Sequence, residues 1–375
     1  MREVLTNLFA TVALLAGLAV AAGDAEGWPC FRGGPQLNGV APGPLPGTPR
    51  LSWTARAGRG PVSAPVVANG LVFVGSDDGV YAFKSADGKP AWKLDTAAAI
   101  EAPPLVLDGT IFVGATDGTF YALDAAQGAV RWKSQAGDKI TGSANWAGGP
   151  DPDSRRILFG SHDSTLRCLD AATGATVWES RTGSYINGTP AVWQDLAVFG
   201  ACDGQLHLVA LADGKSVADI AVGSYVPGSP AVADGVAYCV QFEGELVAVD
   251  MATRAILWRY GGQDVAGPFF SSPAVAGDTV LAASRDHKLH AVDRRTGKAL
   301  WTFPARGEID ASPVVCGDRV VFSSADGRVY IVKLADGSRV WSYEIGTALS
   351  ATPAVARNLF VVVDDDGRVY AFSAK

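Results

Sequence analysis

The sequence predicts an all-β chain that folds as an eight-bladed β-propeller with four antiparallel strands in each blade. Three observations lead to this prediction: a repeat of about 40 residues, eight copies of a small-residue step of which seven end in proline, and a tryptophan offset that leaves the last copy incomplete. Repeats of this length with four short strands each are typical of propeller blades. The 44 glycines supply the tight turns that so many short strands need.

The proline markers count the repeats. Successive markers stand 39 to 46 residues apart, and Ala144 fills the single position where the proline is missing. A regular step of this size predicts eight equivalent structural units. The markers are Pro65, Pro104, Ala144, Pro190, Pro230, Pro273, Pro313 and Pro353.

A tryptophan lies near the end of each repeat, except where Ala218 takes its place. Seven such positions follow the first marker, and the eighth, Trp53, precedes it, while the last copy stops at Lys375 without a fourth strand. We therefore expect residues 50–55 to complete the last blade, because closing the ring removes two open sheet edges. The tryptophans with this predicted structural role are Trp53, Trp92, Trp132, Trp178, Trp258, Trp301 and Trp341.

The strands within a blade follow from alternating apolar residues and from turns that contain Asp-Gly or Gly-Asp. In blade seven the pattern predicts strands A to D at Pro313–Cys316, Val320–Ser323, Val329–Lys333 and Arg339–Tyr343. The glycines in these turns provide the positive φ angle that tight hairpins demand.

The N-terminus has the pattern of a secretory signal peptide. Arg2 precedes an apolar run from Leu8 to Ala22, which is about 15 residues and too short to span a bilayer. We expect a signal peptide at 1–22, a leader at 23–49 and the propeller at 50–375. No cysteine stands at the expected cleavage point, and no lipobox precedes Cys30. The sequence thus predicts an exported protein, periplasmic or secreted, that is not a lipoprotein and has no transmembrane segment.

Charge and the scattered reactive residues argue against several functions. The formal net charge is −7, and Lys and Arg form no cluster, so we expect no nucleic-acid partner. The five cysteines are isolated, and Cys168 and Cys239 lie in apolar strand patterns, which indicates buried single thiols. The four histidines form no metal-binding motif; His287 and His290, the closest pair, are interpreted as surface residues.

The repeat resembles the pyrroloquinoline-quinone (PQQ) repeat. The stretches GATDGTFYALDAAQGAVRW and GSHDSTLRCLDAATGATVW carry its pattern, and the resemblance extends over residues 51–375. The segment Trp28–Pro35 also resembles the WPxFRG leader of exported bacterial quinone-repeat proteins. The resemblance points to two branches: the quinoprotein alcohol and glucose dehydrogenases, and non-catalytic propellers similar to the propeller lipoprotein of the outer-membrane β-barrel assembly machinery. It also implies that the tryptophan of strand D docks against a neighbouring blade.

The non-catalytic branch fits this sequence better. Resemblance to the dehydrogenases would imply an adjacent Cys-Cys pair, a calcium or lanthanide site, an Asp base and large insertions between blades. This chain has no adjacent cysteines, and its largest insertion, between Trp146 and Arg155, adds about six residues. We find no residues that match a PQQ or calcium site, so we assign no catalytic, cofactor-binding or metal residues and expect no cofactor.

The loops that join strand D of one blade to strand A of the next vary from blade to blade. Counted back from the marker, position −4 is apolar throughout and is interpreted as core, whereas positions −3 and −5 point the other way and are partly polar. The turns between strands B and C lie on the same face, and their acidic residues are interpreted as turn-capping groups. Variable, partly aromatic loops favour recognition of a partner. The candidate partner-binding residues are Glu101, Lys139, Tyr185, Asn187, Tyr225, Phe269 (itself at position −4), Phe270, Glu308 and Asp310.

We therefore expect an exported, monomeric propeller that binds a protein or peptide partner and acts as a scaffolding module in envelope or outer-membrane protein assembly, and not as an enzyme. Two alternatives stay open. One is a PQQ-dependent alcohol or sugar dehydrogenase-like quinoprotein. The other is a propeller that binds a carbohydrate or another small ligand in its central channel.

Overall fold

Eight four-stranded antiparallel sheets form the blades of the protein. The structure is a computed structural model that describes residues 27–60 and 62–374. The predicted signal peptide at residues 1–22 lies outside the described residues. Within these ranges there is no α-helix, and the two short 3₁₀ turns are Phe31–Gly33 and Gly262–Asp264. The predicted all-β, eight-bladed fold is confirmed.

Blades 1 to 7 each use four consecutive strands, which run from strand A on the inside to strand D on the outside. In blade seven the observed strands agree with the predicted ones to within one residue at every end. Blades 1 to 4 consist of β2 (Val66–Ala68), β3 (Leu71–Ser76), β4 (Gly79–Lys84) and β5 (Pro90–Asp95); β6 (Leu105–Leu107), β7 (Thr110–Gly114), β8 (Thr119–Asp124) and β9 (Val130–Gln135); β10 (Asn145–Gly148), β11 (Arg155–Gly160), β12 (Thr165–Asp170) and β13 (Thr176–Arg181); and β14 (Ala191–Trp193), β15 (Leu196–Gly200), β16 (Gln205–Ala210) and β17 (Ser216–Ala221). Blades 5 to 8 consist of β18 (Ala231–Ala233), β19 (Val236–Gln241), β20 (Glu245–Asp250) and β21 (Ala255–Gly261); β22 (Ala274–Ala276), β23 (Thr279–Ala283), β24 (Lys288–Asp293) and β25 (Ala299–Pro304); β26 (Val314–Cys316), β27 (Arg319–Ser324), β28 (Arg328–Lys333) and β29 (Arg339–Glu344); and β30 (Ala354–Ala356), β31 (Leu359–Val363), β32 (Arg368–Ser373) and β1 (Arg50–Arg56).

Strand β1 closes the ring. It pairs antiparallel with β32, so that Trp53 stands opposite Ala371 and Arg56 opposite Arg368. Strand A of blade 8 also contacts strand A of blade 1. The predicted closure by residues 50–55 is therefore confirmed, and the strand extends one residue further, to Arg56.

The strand-D tryptophans pack against the next blade, as the resemblance implied. The Trp92 indole N–H donates to the carbonyl oxygen of Ala125 at 3.0 Å, and its ring lies over Gly128, where a Cβ atom would come within 2.5 Å of the ring. Burying an aromatic side chain of this size contributes about 2–3 kcal/mol. The same bond to the residue directly after strand C is made by Trp53, Trp132, Trp178, Trp258 and Trp301.

Two blade boundaries depart from this pattern. In blade 4 Ala218 takes the place of the tryptophan, and the facing turn of blade 5 has Arg254, with φ 62°, where the other turns have glycine. In blade 7 Trp341 faces the incomplete end of the chain and packs edge-on against Phe360 and Phe372 of blade 8. At the boundary between blades 4 and 5, the tryptophan and the glycine that it would cover are therefore both absent.

Residues 28–41, which we call the central segment, cross the middle of the ring along the inner edges of the A strands. Six blades donate the N–H of the middle residue of strand A to this segment, and blade 3 takes part through the amide of Asn145, which donates to Pro35 O at 2.8 Å. The segment thereby satisfies strand edges that would otherwise stay unpaired. The sequence pattern had indicated only a leader at residues 23–49, without this structural role. The six donors are Val67, Val106, Val192, Val232, Val275 and Val315.

Arg32 anchors the central segment. Its side chain is 1% exposed, and its guanidinium donates to Pro313 O at 2.6 Å and to Pro273 O at 2.7 Å. Burial lowers the pKa of Arg32 to about 9, because the charge leaves water. The Nε–H has no partner among the described residues. A buried charge is thus held by carbonyl dipoles of blades 6 and 7.

Candidate functional site

The loops from strand D to strand A and the turns from strand B to strand C share one face, as predicted; we call it the D–A face. One repeated hydrogen bond joins the two, from the N–H of the first variable residue of the turn to the carbonyl at position −5 of the loop. His162 donates to Lys139 O and Phe242 to Tyr225 O, both at 3.0 Å. Because the bond recurs, each blade presents its loop and turn side chains together. The other pairs are Thr116–Ala99, Cys202–Tyr185, Arg285–Pro268, Ala325–Glu308 and Asp365–Ala348.

Eight of the nine candidate residues lie at least partly in solvent on this face. Tyr185 is 52% exposed, and Glu101 and Glu308 are exposed as well. The partly exposed residues are Lys139, Asn187, Tyr225, Phe270 and Asp310. Their placement permits contact with a partner, which itself stays a proposal.

Phe269 is the exception. Its side chain is 0% exposed and packs edge-on against His290, with ring centroids 5.6 Å apart. It occupies position −4, which the sequence had indicated as core, and the loop before it is extended by the 3₁₀ turn Gly262–Asp264. Phe269 therefore belongs to the core and is removed from the candidate surface.

A row of rings, made of two separate contacting groups, crosses the D–A face over blades 3 to 6. His162 stacks on Tyr185 with centroids 5.2 Å apart, and Tyr225 stacks on Phe242 at 4.4 Å. Phe242, which is 37% exposed, meets Phe270 edge-on at 5.7 Å. The row ends where a guanidinium lies over the last ring. We call the six residues the aromatic arc: His162, Tyr185, Tyr225, Phe242, Phe270 and Arg285.

Arg285 fixes one end of the arc. Its guanidinium carbon lies 4.0 Å from the centre of the Phe270 ring. Two donors of the same group bind both oxygens of Asp310 at 2.8 Å, and Glu308 lies 3.5 Å away. The Asp310 carboxylate raises the pKa of Arg285. A forked ion pair of this kind holds a planar group in one orientation, so the guanidinium stays over the Phe270 ring.

Cys202 lies between the two tyrosine sectors of the arc. The Asn187 amide donates to its sulfur at 3.1 Å, which places both residues on the D–A face. Partial burial raises the pKa of Cys202. The four other cysteines are buried, and burial raises the pKa of Cys30, Cys168 and Cys239 to about 12. All five thiols are unpaired, so Cys202 is the accessible one.

Sequence reasoning missed three members of the arc, His162, Phe242 and Arg285. They lie in B-to-C turns, where the sequence pattern had identified only the following acidic residue, as a turn-capping group. The position before that residue holds Thr116, His162, Cys202, Phe242, Arg285 and Ala325 in blades 2 to 7. This position varies from blade to blade as strongly as positions −3 and −5. A comparison of the repeats at this position would therefore have identified the three missed residues.

The turn-capping interpretation of the acidic residues holds in five blades. A carboxylate oxygen of Asp163 accepts the N–H of Thr165 at 3.1 Å, two residues on. Asp117, Asp203, Asp286 and Asp326 make the same bond. Several of these carboxylates also bind a side chain of strand C, as in the Asp163–Arg167 pair and the bond from Tyr330 to Asp326.

His290 was interpreted as a surface residue, and this was wrong. Its side chain is buried between blades 5 and 6, where Nδ1 meets the Tyr260 hydroxyl at 2.9 Å and Nε2 meets Asp286 at 3.1 Å. His287, three residues earlier, is exposed. The turn between them brings the start of β24 into the core, where every second residue faces the neighbouring blade.

The described residues include neither a metal-binding cluster nor a membrane-spanning helix. No group of three or more His, Cys, Asp or Glu side chains there is arranged to hold a metal ion. No helix within the same residues is long and apolar enough to cross a membrane.

Comparison with known proteins places the chain among the propellers. A family model described as "Beta-alanine-activating enzyme, beta-propeller" matches residues 100–375, about three quarters of the chain. No curated protein is significantly similar to it in sequence.

Three solved structures have the same fold. BamB from Moraxella catarrhalis has a TM-score of 0.72 at 22% identity, covering 88% of this chain and 98% of BamB. The computationally designed Ika8 protein gives 0.76 at 16% identity, covering 86% and 99% of the two chains. The quinohemoprotein alcohol dehydrogenase ADHIIG from Pseudomonas putida HK5 gives 0.75 at 16% identity, covering 93% and 80%. These structures show that the chain shares the propeller fold, and the family model adds a match described as the propeller of a beta-alanine-activating enzyme.

Proposed function

This chain belongs to the propeller family described as "Beta-alanine-activating enzyme, beta-propeller", and we propose that within this fold it is a binding or scaffolding module that recognises a protein partner through the aromatic arc. The observation that carries the proposal is the arc itself. Surface-exposed Tyr185 and Phe242, and the partly exposed rings beside them, lie in one row across several blades. Rigid aromatic side chains bury a large area at little entropic cost and dominate the energetics of protein interfaces.

The arc is rigid before binding. Its loops are tied to the turns by backbone hydrogen bonds, and Arg285 is clamped by Asp310. Preorganised side chains lose little freedom when a partner arrives, so more of the contact energy appears as affinity. Structural requirements of the blade do not explain the rings, since other blades have Ala325 or Thr116 at the positions of Phe242 and His162.

A double substitution tests the proposal. Tyr185→Ala with Tyr225→Ala removes two exposed or partly exposed rings and leaves the core intact, so we expect an unchanged melting temperature. The wild type is used as bait in an envelope extract, and quantitative mass spectrometry identifies proteins that the double variant fails to retain. The matched control is Leu300→Ala, because Leu300 is 51% exposed on an outer strand away from the arc. Equal capture by all three baits would contradict the proposal.

Cys202 gives a second, covalent test of the same surface. A maleimide carrying a bulky group attaches to this partly exposed thiol and covers the arc, because the N–H of Cys202 binds the carbonyl of Tyr185 and its thiol lies near Tyr225. We expect labelling to abolish partner capture by the wild type and to have no effect on Cys202→Ser. Retained capture after complete labelling would count against the arc.

The alternative of a PQQ-dependent dehydrogenase is favoured by the fold shared with the quinohemoprotein alcohol dehydrogenase. The loop position next to the start of strand A does not fit the quinone, because the three carboxylates of the quinone need cations. Position −3 of the loops, next to the start of strand A, has two carboxylates and no Lys or Arg: Val62, Glu101, Thr141, Asn187, Pro227, Phe270, Asp310 and Ser350. Titration with the quinone and calcium decides the matter: saturable binding with dye reduction favours the enzyme, and its absence favours the scaffold.

We also propose that residues 1–22 direct export and that the protein works in the cell envelope, in outer-membrane protein assembly. The support is the apolar run from Leu8 to Ala22 behind Arg2, together with the fold shared with BamB. N-terminal sequencing of the protein from a periplasmic extract tests export. A mature chain that begins after Ala22 supports it, and a chain that keeps Met1 in the cytosol contradicts it.

A further inference from the structure

We infer that the partner segment that docks on the aromatic arc is cationic: a protein segment with an apolar or aromatic anchor flanked by Lys or Arg. This inference rests on the proposed function and adds the chemistry of the partner. Its basis is the uneven charge of the molecule. The loops and turns of the D–A face contain sixteen acidic and four basic side chains, a formal charge of −12 in a chain whose total is −7. They comprise residues 57–65, 77–78, 96–104, 115–118, 136–144, 161–164, 182–190, 201–204, 222–230, 242–244, 262–273, 284–287, 305–313, 325–327, 345–353 and 364–367.

The opposite face of the same ring is an internal comparison. Its A-to-B and C-to-D turns have ten acidic and seven basic side chains, a formal charge of −3. Those turns are built from the same Asp-Gly chemistry, so the requirements of tight turns alone do not produce the acidic bias. The excess charge lies on the face that also has the exposed rings.

Two carboxylates flank the arc without strong neutralisation. Glu243 follows Phe242 directly in its turn, is exposed, and makes no side-chain ion pair among the described residues. Glu308 is exposed and lies 3.5 Å from Arg285, whose closer bonds go to Asp310. Basic side chains beside an apolar anchor can therefore meet Glu243 next to Phe242 and the partly neutralised Glu308 near the Phe270 end of the row. Complementary charges of this kind raise the rate of association and select among partners.

A phage-displayed library of 12-residue peptides serves as the probe. Selection is made on the wild type, with counter-selection on Tyr185→Ala/Tyr225→Ala to keep peptides that bind the arc. We expect the retained peptides to be enriched in Lys and Arg next to Trp, Tyr, Phe or Leu. For a selected peptide, we expect Glu243→Gln/Glu308→Gln to lower affinity about three- to tenfold at low salt, mainly through the association rate, and salt to remove the difference. The matched control is Asp278→Asn/Asp318→Asn, which removes two exposed charges from the opposite face.

The outcomes separate this inference from the proposed function. One outcome is peptides that depend on the tyrosines, lack basic residues and bind independently of salt. This outcome contradicts a cationic partner but not the proposed binding surface. A selection that yields no peptide dependent on the tyrosines overturns both. A loss of affinity in Asp278→Asn/Asp318→Asn equal to that in the glutamine variant also overturns the inference, because the effect would then come from overall charge.

Discussion

At the scale of single residues, the turn carboxylates combine two roles that a sequence pattern cannot separate. Asp163 caps its turn and also binds Arg167 through two bonds, at 2.6 and 3.0 Å, and the N–H of Gly137 at 2.7 Å. Burial alone would raise the pKa of Asp163, but the Arg167 guanidinium and these N–H donors outweigh it and hold the pKa below its usual value of 3.8. The capping role was predictable from the Asp in the turn. The ion pair was not, because Arg167 is the only arginine at a strand position that holds tyrosine in four other blades and His or Val in the remaining three.

The lowered pKa of Asp163 makes a prediction about acid stability. A carboxyl group whose pKa is lower in the folded chain than in the unfolded chain stabilises the fold above the unfolded pKa, and loses this effect as the pH falls through the folded value. Asp163→Asn should therefore lower the free energy of unfolding by about 1–3 kcal/mol at pH 7, and the gap to the wild type should narrow below about pH 4. Urea unfolding between pH 3 and 7 measures this. Asp278→Asn, at an exposed site, is the control; a gap that stays constant with pH for Asp163→Asn would contradict the argument.

The sequence predicted the residues of the candidate site that differ between repeats, but not those that are defined by a contact with another loop. Tyr185 and Tyr225 were found because loop positions −3 and −5 can be compared across repeats. His162 and Phe242 were missed because stacking joins residues about 20 positions apart, on separate loops, and periodicity within a strand has no record of such pairs. Phe269 went the other way: its ring is buried because it occupies position −4, where six other loops have a buried Ile, Val or Leu.

At the scale of structural elements, the blades are joined by a tryptophan and the glycine that it covers. Alternation and Asp-Gly turns were enough to predict the strands of blade seven to within one residue, because each strand is set by its neighbours in sequence. The contact between Trp92 and Gly128 joins different blades, and only the resemblance to known repeats suggested the docking. Ala218 and Arg254 show that the chain treats the two positions as one unit, because without the indole the glycine position accepts a long side chain.

A pair of glycine substitutions tests this unit. Gly128 and Gly109 have nearly the same φ, 72° and 71°, so alanine causes similar backbone strain at both. At Gly109 an added Cβ meets nothing within 4 Å, whereas at Gly128 it meets the Trp92 ring. We expect Gly128→Ala to lower the free energy of unfolding by about 1–3 kcal/mol more than Gly109→Ala, the cost of overpacking. Denaturant unfolding followed by circular dichroism measures both.

The boundary with Ala218 and Arg254, which lacks both tryptophan and glycine, suggests a second experiment on the same contact. In a Trp92→Ala background, Gly128→Ala should cost no more than Gly109→Ala, because the ring that it would strike is gone. This reproduces the Ala218–Arg254 arrangement at another blade boundary. If Gly128→Ala is equally destabilising without the indole, packing of the tryptophan does not account for the effect, and backbone strain alone explains why glycine is required.

At the scale of the whole molecule, the ring is held together from both its outer and its inner side. Closure by β1 was predictable because counting tryptophans left one strand missing at the end and one extra at the start. The central segment was not predictable, since its bonds go in turn to strands that lie up to about 280 positions away in the chain. Nothing in a local pattern indicates that fourteen residues can contact seven blades. The segment occupies the inner edges of the A strands in these blades.

Arg32 provides the test of this inner closure. Arg32→Ala removes the donors to Pro313 O and Pro273 O, and each buried carbonyl left without a partner costs about 1–3 kcal/mol. Part of the lost stability is regained, because the unfavourable free energy of burying the Arg32 charge disappears as well. We therefore expect a net loss of about 2 kcal/mol in the free energy of unfolding. Arg339→Ala, at an exposed site on an outer strand, should change it by less than about 0.5 kcal/mol.

Hydrogen exchange distinguishes release of the central segment from general destabilisation. The backbone N–H groups of Val232, Val275 and Val315 bind carbonyls of this segment, whereas the N–H groups of the inner B and C strands bind within their own blades. Arg32→Ala should therefore speed exchange at these three valines more than in strands β19 and β23. The segment lies close to Arg32 at each of these bonds, so losing its anchor lets it open without unfolding a blade. Uniform loss of protection throughout the molecule, or no loss at the valines, would show that Arg32 does not hold the segment in place.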